Sequence, residues 1–422
     1  MRYILDWHIH SKYSRACSKD LELPNIARWC ERKGIHIVAT GDWTHPAWFL
    51  NLEKELEESE PGIYKLRSSY NSEASPTRFI LVTEISQIYK KGEKTRRIHN
   101  LIFSPSLETC SKVNQELEKL NFNLKSDGRP ILGIDSEELY KILKTIDEKI
   151  ILVPAHAWTP WYAVFGSKSG FDSLEECFGS MTPYIYAIET GLSSDPPMNW
   201  QVSDLDRVML ISNSDAHSCR NLGREANVME IKDLSYDECV RILREKDSKA
   251  FLYTIEFYPE EGKYHYDGCA NCGVVADPKT TKKYGGYCPS CKRPLTLGVL
   301  NRVYELSNRA YQKKQKNKIP YKSIIPLQEI LAECLGVKST HSLKVVREYE
   351  RLTRELDNEF SILLDLPIET IEQASNIPFL AEAIKKMREG SIHILPGYDG
   401  VFGEVHIFNE ADFSKQHQSS IF

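Results

Sequence analysis

The chain has 422 residues, 41% hydrophobic and 27% charged, with a net charge of −5. That is the composition of an ordinary globular protein and excludes fibrous, collagenous and wholly disordered chains; at roughly 100–200 residues per domain the length predicts two to four domains. No run approaches the ~18 apolar residues of a membrane helix, the N-terminus enters a strand where a signal peptide would stand, and eleven cysteines are too few, and odd in number, for a disulfide scaffold. The expectation is a cytoplasmic monomer with no membrane partner, whose clustered cysteines hold metal.

Tyr3–Leu5 reads as a strand, Leu23–Cys30 as a helix with Pro24 in its first turn, and Ile35–Ala39 as the next strand. Further apolar runs follow at Phe79–Val82, Ile98–Ile102, Ile150–Val153, Tyr184–Ile188 and Val208–Ile211. Such runs lack strict polar alternation and have helical patterns between them. They predict βαβ units with a parallel sheet. Six or seven of them suggest a closed α/β barrel over residues 1–260. Residues 261–298 read as a hairpin-rich module turning at Gly285-Gly286. Residues 299–422 read as mainly helical, with a glycine-rich loop at Pro396–Gly403. Charge is uneven: Gly262–Asp357 carries 18 Lys/Arg against nine Asp/Glu, net +9, so the remainder is −14. A basic block on an acidic body points to an anionic partner for the block.

The polar residues at the predicted strand ends form a pattern. His8 and His10 follow the first strand, Asp42 and His45 the second, and Glu84 the third. His99 lies in or just after the fourth; His156, Glu189, and Asp215 with His217 follow the last three. A lone histidine after a strand is ordinarily structural, but in an α/β barrel all C-terminal strand ends meet on one face. A His, Asp or Glu at nearly every one of them points to a metal-binding rim. Imidazoles and carboxylates together suit zinc or manganese, with magnesium as a further candidate.

Four cysteines form a second pattern. Cys269-Ala270-Asn271-Cys272 and Cys288-Pro289-Ser290-Cys291 are paired knuckles with the spacing of a structural tetrathiolate zinc site. Lys282, Lys283 and Arg293 lie beside them, and Arg302, Lys313 and Lys314 continue the basic block on predicted helices, where they could track a phosphate backbone. Trp43, Trp48, Trp158 and Trp161 adjoin the strand-end motifs and are either core or stacking platforms.

The segments His8-Ile9-His10, Thr40-Gly41-Asp42, Glu84-Ile85, His99, Pro154-Ala155-His156 and Ser214-Asp215-Ala216-His217 resemble the PHP (polymerase and histidinol phosphatase) phosphoesterase family. The resemblance implies a distorted (β/α)7 barrel that binds two or three divalent metals and hydrolyses phosphoesters. His8, His10, Glu84 and Asp215 would hold one metal, and Glu84, His99 and His156 a second, with Glu84 bridging. His45 and His217 are candidates for a third, and Asp42, Glu189 and Arg15 for catalytic roles. Two departures touch the third metal: Arg15 stands where the family commonly has Asp or His, and Gly41-Asp42 replaces an Asp-His pair. Arg15 could instead hold a phosphate.

The whole order of parts is similar to endonuclease Q, through Asp6–Ser11, Gly41–Pro46, Ala155–Trp161 and the cysteine knuckles. That resemblance implies cleavage of DNA, single- or double-stranded, on the 5′ side of deaminated bases (uracil, hypoxanthine, xanthine) and abasic sites. Reading such a base requires flipping it from the duplex. Gly397, Tyr398 and Gly400 are expected to line the pocket through exposed backbone amides. The chain ends with Gln418, Ile421 and Phe422, which resemble a peptide that docks on a sliding clamp. The competing readings are a small-molecule phosphatase, which needs no basic block, and a scaffold with an inactive barrel, which needs no ligand set.

Overall fold

The computed structural model describes residues 1–70, 75–316 and 318–409. The chain forms two compact units. The first comprises Met1–Glu31, Ile35–Ile255 and Val299–Tyr321; the second comprises Arg32–Gly34, Glu256–Gly298 and the residues from Lys322 onward. The expected clamp peptide, Gln418–Phe422, lies outside the described residues. Among the described residues no helix is long and apolar enough to cross a membrane.

The first unit has a mixed α/β architecture. Its strands are β1 (Arg2–Asp6), β2 (Ile37–Ala39), β3 (Leu56–Glu60), β4 (Ile63–Leu66), β5 (Arg78–Ile80), β6 (Val82–Lys91), β7 (Lys94–Phe103), β8 (Ile131–Leu132), β9 (Ile151–Pro154), β10 (Ala187–Glu189), β11 (Met209–Ile211), β12 (Ala226–Glu230) and β13 (Phe251–Glu256). One sheet runs β13-β12-β1-β2-β5-β4-β3, a second β8-β6-β7-β9, and β10 pairs with β11. β1 is parallel to β2 with Leu5 opposite Ile37, and β2 is parallel to β5. A further parallel bridge joins Ile9 to Ala216, so the loops after β1 and β11 meet.

The direction of several strands departs from the parallel expectation. β6 and β7 form a long antiparallel hairpin, and β9 runs antiparallel to β7. Only Gly92 and Glu93 separate β6 from β7, and a parallel crossover needs a dozen residues or more. Gly92 adopts φ +61°, which a glycine takes without strain. The misleading signal was burial: Val82–Ile85 and Ile98–Phe103 are buried on both faces of the sheet. Two-sided burial produces continuous apolar runs whatever the strand direction. The core includes Trp7, Trp43, Trp48 and Trp158, all fully buried, so these tryptophans are packing residues; Trp161 alone of the four candidates is exposed, at 48%.

The unit boundaries differ from the expected three parts. The helix Val299–Leu306 packs within the first unit. There Arg302 is buried, donating from Nε to Phe165 O at 3.1 Å and from Nη2 to Phe171 O at 3.0 Å, and pairing with Glu305 and Asp172. Arg302, expected on DNA, is thus a clamp holding this helix. The basic segment beyond Leu306 is not helical among its described residues. Asn308 bonds Ser203 through its side chain and Gln201 through its backbone, which draws the chain off the helical path.

In the second unit the cysteine module, with a hairpin of Asp267–Cys269 and Val274–Ala276, joins the helices Leu327–Cys334, Leu343–Glu355 and Leu380–Glu389. Tyr266 N donates to Gly397 O, and the Tyr398 ring lies so close to Gly268 that a Cβ there would be 2.4 Å from its Cδ2.

Candidate metal centre

His8 and His10 alternate off the strand end beyond β1. Glu84 lies near the start of β6, His99 in the middle of β7, His156 just after β9 and Asp215 after β11. The structure brings them into two adjoining sets: His8, His10, Glu84 and Asp215, and Glu84, His99 and His156, with donor atoms within 4.8 Å of one another in each. Glu84 belongs to both. His10 Nε2 is 3.1 Å from Asp215 Oδ1 and 3.3 Å from Glu84 Oε2; His8 Nε2 is 3.5 Å from each carboxylate. On the other side Glu84 Oε1 is 2.7 Å from His99 Nδ1 and 3.0 Å from His156 Nε2.

These separations suit a cation between the donors. Bonds of about 2.1 Å at tetrahedral angles put neighbouring ligand atoms about 3.4 Å apart. His8 Nε2 is buried without a hydrogen-bond partner among the described residues, which a metal would satisfy. Glu84 has a pKa well below the carboxylate range. Burial pushes it up, but His99, Arg129 and His8 outweigh burial and keep it ionised. Burial drives His99 the other way, to about 4, so its imidazole is neutral at pH 7.

Three of the four imidazoles, those of His8, His10 and His156, are aimed by a bond on the far nitrogen. His8 Nδ1 meets both oxygens of Glu189 at 3.0 Å, and Glu189 also accepts from His156 N at 2.7 Å and Asn213 Nδ2 at 2.8 Å. His10 Nδ1 meets Asp42 Oδ1 at 3.0 Å, while Asp42 Oδ2 accepts from Ser11 N and Oγ. His156 Nδ1 donates to Thr159 Oγ1 at 3.0 Å. Asp42 and Glu189, expected as catalytic carboxylates, therefore have their oxygens committed to orienting His10 and His8. Asp42, His156 and Asp215 all have positive φ, at 42°, 30° and 47°. Such backbone strain in three non-glycine residues gathers where function over-determines geometry.

The other expected site residues lie elsewhere. His45 stacks on Tyr13 with ring centroids 4.4 Å apart and belongs to neither donor set. His217 Nδ1 donates to Asp215 O at 2.8 Å, beside but outside the first set. Arg15 has a side chain 78% exposed and pairs with Asp127. The arginine among the ligands is Arg129, whose Nη1 is 2.9 Å from Glu84 Oε2. It follows no strand in the sequence pattern and carried no signal. Asn213 and Thr159 were missed for a related reason: Thr159 touches the donor His156, and Asn213 touches Glu189, which orients His8.

Cys269, Cys272, Cys288 and Cys291 converge in the second unit. Cys269 Sγ and Cys291 Sγ are 3.8 Å apart, the edge of a tetrahedron with Zn–S bonds of about 2.3 Å. Backbone N–H groups of Cys291 and Ser290 pull the Cys288 thiol down to about 7, toward thiolate. Lys282, Lys283 and Arg293 are exposed beside these cysteines in the sequence; in the first unit, Lys313 and Lys314 are exposed. The glycine-rich loop differs from expectation. Its Gly397, Gly400 and Gly403 amides donate to Glu260, Lys263 and Glu261 carbonyls, and Tyr398 and Val401 bond each other. What the loop offers outward is side chains, Val401 at 42% and Phe402 at 70% exposure.

A carboxylate-bridged, histidine-rich pair of donor sets, gathered from strands and the loops that follow them, defines a metal-dependent hydrolase. Residues 326–391 match the family model of the MJ0043 C-terminal domain. The protein MJ0043 of Methanocaldococcus jannaschii is 31% identical over 254 residues, which cover 59% of this chain and 31% of that one, so the likeness spans about a third of that relative. Over the full length, the lesion-specific endonuclease PfuEndoQ of Pyrococcus furiosus superposes with a TM-score of 0.83 at 30% identity, covering 98% of this chain and 99% of its own. A structure of endonuclease Q with a 27-mer duplex bearing an abasic lesion at its active site gives 0.82 at 31% identity, with 98% of both chains covered. The chain belongs to the endonuclease Q family.

Proposed function

We propose that this protein is a DNA repair endonuclease that hydrolyses the phosphodiester 5′ of an abasic site or a deaminated base. The observation that carries the reading is the double donor set sharing Glu84, in a chain whose full-length relatives include one bound to abasic duplex. His8, His10, Glu84 and Asp215 would hold one divalent cation and Glu84, His99 and His156 another, within a distorted (β/α)7 barrel. When bound, such a pair supplies Lewis acidity toward the phosphate and lowers the pKa of water.

The chain's own residues do the rest. Glu189, Asp42 and Thr159 fix the imidazoles of His8, His10 and His156. Trp161 is five residues from His156 on a loop pinned by Thr159 Oγ1, which donates to Trp161 O at 3.0 Å; its ring lies under Arg97 at 5.0 Å. An exposed aromatic so placed is suited to stacking on a displaced base. Lys282, Lys283 and Arg293, with exposed Tyr284 and Tyr287, give the zinc module a basic and aromatic surface for the DNA backbone. Val401 and Phe402 suit the gap left by a flipped base, where an apolar wedge replaces lost stacking.

The test is incubation of the metal-loaded protein with duplexes carrying a single uracil, hypoxanthine or abasic site, with the nick mapped on a sequencing gel. The expected product is a cut 5′ of the lesion and none in the undamaged duplex. Equal cutting of damaged and undamaged DNA would replace the lesion-specific reading with a general nuclease.

A further inference from the structure

Arg129 stands among the metal ligands on a segment built to deliver it. The run Asp127-Gly128-Arg129-Pro130 passes against the loop after β1. Gly128 makes the passage possible, because a Cβ there would lie 2.3 Å from Asp42 Oδ2 and 2.4 Å from Ser14 Oγ. The backbone is bonded along this run: Gly128 N donates to Tyr13 O at 3.0 Å, Thr44 Oγ1 to Gly128 O at 3.3 Å, and Ser86 N to Pro130 O at 3.0 Å. Arg129 N donates to Asp127 Oδ1 at 3.2 Å. The guanidinium then reaches Glu84 Oε2 through Nη1 at 2.9 Å, with a quarter of the side chain exposed beside a fully buried carboxylate.

A permanent cation beside two divalent metals is repelled by them unless an anion binds there too. Glu84 is already shared by both donor sets, so it offsets little of that charge. The groups expected to complete a third metal site do not assemble: His45 is stacked on Tyr13, Asp42 is committed to His10 and Ser11, and His217 lies outside both sets. A guanidinium has five N–H donors in a planar fork, and the contact with Glu84 takes one.

We propose that Arg129 is the third cation of this centre: anchored on Glu84, it binds a non-bridging oxygen of the scissile phosphate, in place of a third metal ion. The ligand class is a phosphodiester monoanion, and inorganic phosphate is its simplest mimic. The inference rests on the phosphodiesterase reading above.

The experiment compares wild type, Arg129→Lys and Arg129→Ala as purified full-length protein. Metal per chain is measured by mass spectrometry, inhibition by inorganic phosphate on an abasic duplex, and turnover of bis(p-nitrophenyl) phosphate as a plain phosphodiester. All three proteins should carry two barrel metals plus one zinc. Arg129→Ala should lose about 10²-fold in kcat, weaken phosphate inhibition about tenfold, and regain activity with millimolar guanidinium. Arg129→Lys, which keeps the charge and fills the site, should be intermediate, and it stands in for the alanine variant should that one fail to fold. A third barrel metal in wild type, or unchanged phosphate inhibition in both variants, overturns the proposal. Wild-type protein that is metal-loaded yet inactive on both the duplex and the plain diester instead overturns the phosphodiesterase reading, and the proposal with it.

Discussion

Glu189→Gln separates a positioning carboxylate from a catalytic one. Glu189 is fully buried and has three donors on two oxygens: His8 Nδ1 at 3.0 Å, His156 N at 2.7 Å and Asn213 Nδ2 at 2.8 Å. The amide is nearly isosteric, so packing is preserved. However, its NH2 must face either the His156 N–H or the Asn213 NH2, donor against donor, and the negative charge that accepts from His8 Nδ1 is gone. Losing one hydrogen bond to a charged group costs about 1.5–3 kcal/mol. If His8 passes that loss to the metal, affinity at the first donor set falls about 10- to 100-fold, the range for such outer partners. The assay is a chelator titration followed by metal analysis, with the four-cysteine zinc as an internal control that should not change. Activity should return when divalent metal is added in excess. Wild-type metal affinity combined with lost activity at saturating metal would refute the positioning role and place Glu189 in the chemistry.

Cys272→Ser should release the zinc and lower the melting temperature of the second unit, because thiolate ligation supplies most of the folding free energy of so small a module; an unchanged thermogram at one zinc fewer would contradict it. Trp161→Ala should raise KM for an abasic duplex roughly tenfold, for one lost stack of about 1–3 kcal/mol, with kcat nearly constant, and Trp161→Phe should recover most of it; equal KM in all three would remove the stacking role. Glu261 is pushed up to about 8, first by burial and then by the charges of Glu329 and Glu260. Its raised folded pKa favours the protonated form, so the stability it confers is full below about pH 4.5 and is lost as pH rises toward 8. Glu261→Gln should therefore raise Tm at pH 8.5 by several degrees, roughly 2–4 °C per kcal/mol, and leave it unchanged at pH 4; a rise of equal size at both values would deny the titration.

Local sequence determined the donors themselves. His8, His10, His156 and Asp215 were legible as donor candidates because a strand end is a local feature, and a polar residue just past an apolar run projects onto the rim; Glu84 and His99, picked out beside apolar runs in the same way, stand within β6 and β7. The cysteine knuckles were legible for the same reason, since two residues of spacing set each pair of thiolates on one turn. Tertiary structure decided what each carboxylate does. Asp42 and Glu189 stand beside apolar runs in the sequence just as Glu84 does, yet they serve the far nitrogens of imidazoles, because a bond's partner depends on which loops meet across the fold. It also decided strand direction, since two-sided burial leaves the same apolar run on β7 as on a parallel strand. Arg129 shows the limit most plainly. Its place at Glu84 depends on a missing Cβ at Gly128 and on the loop after β1, where Tyr13 O accepts from Gly128 N across 115 residues of sequence, and no local pattern of residues encodes that approach.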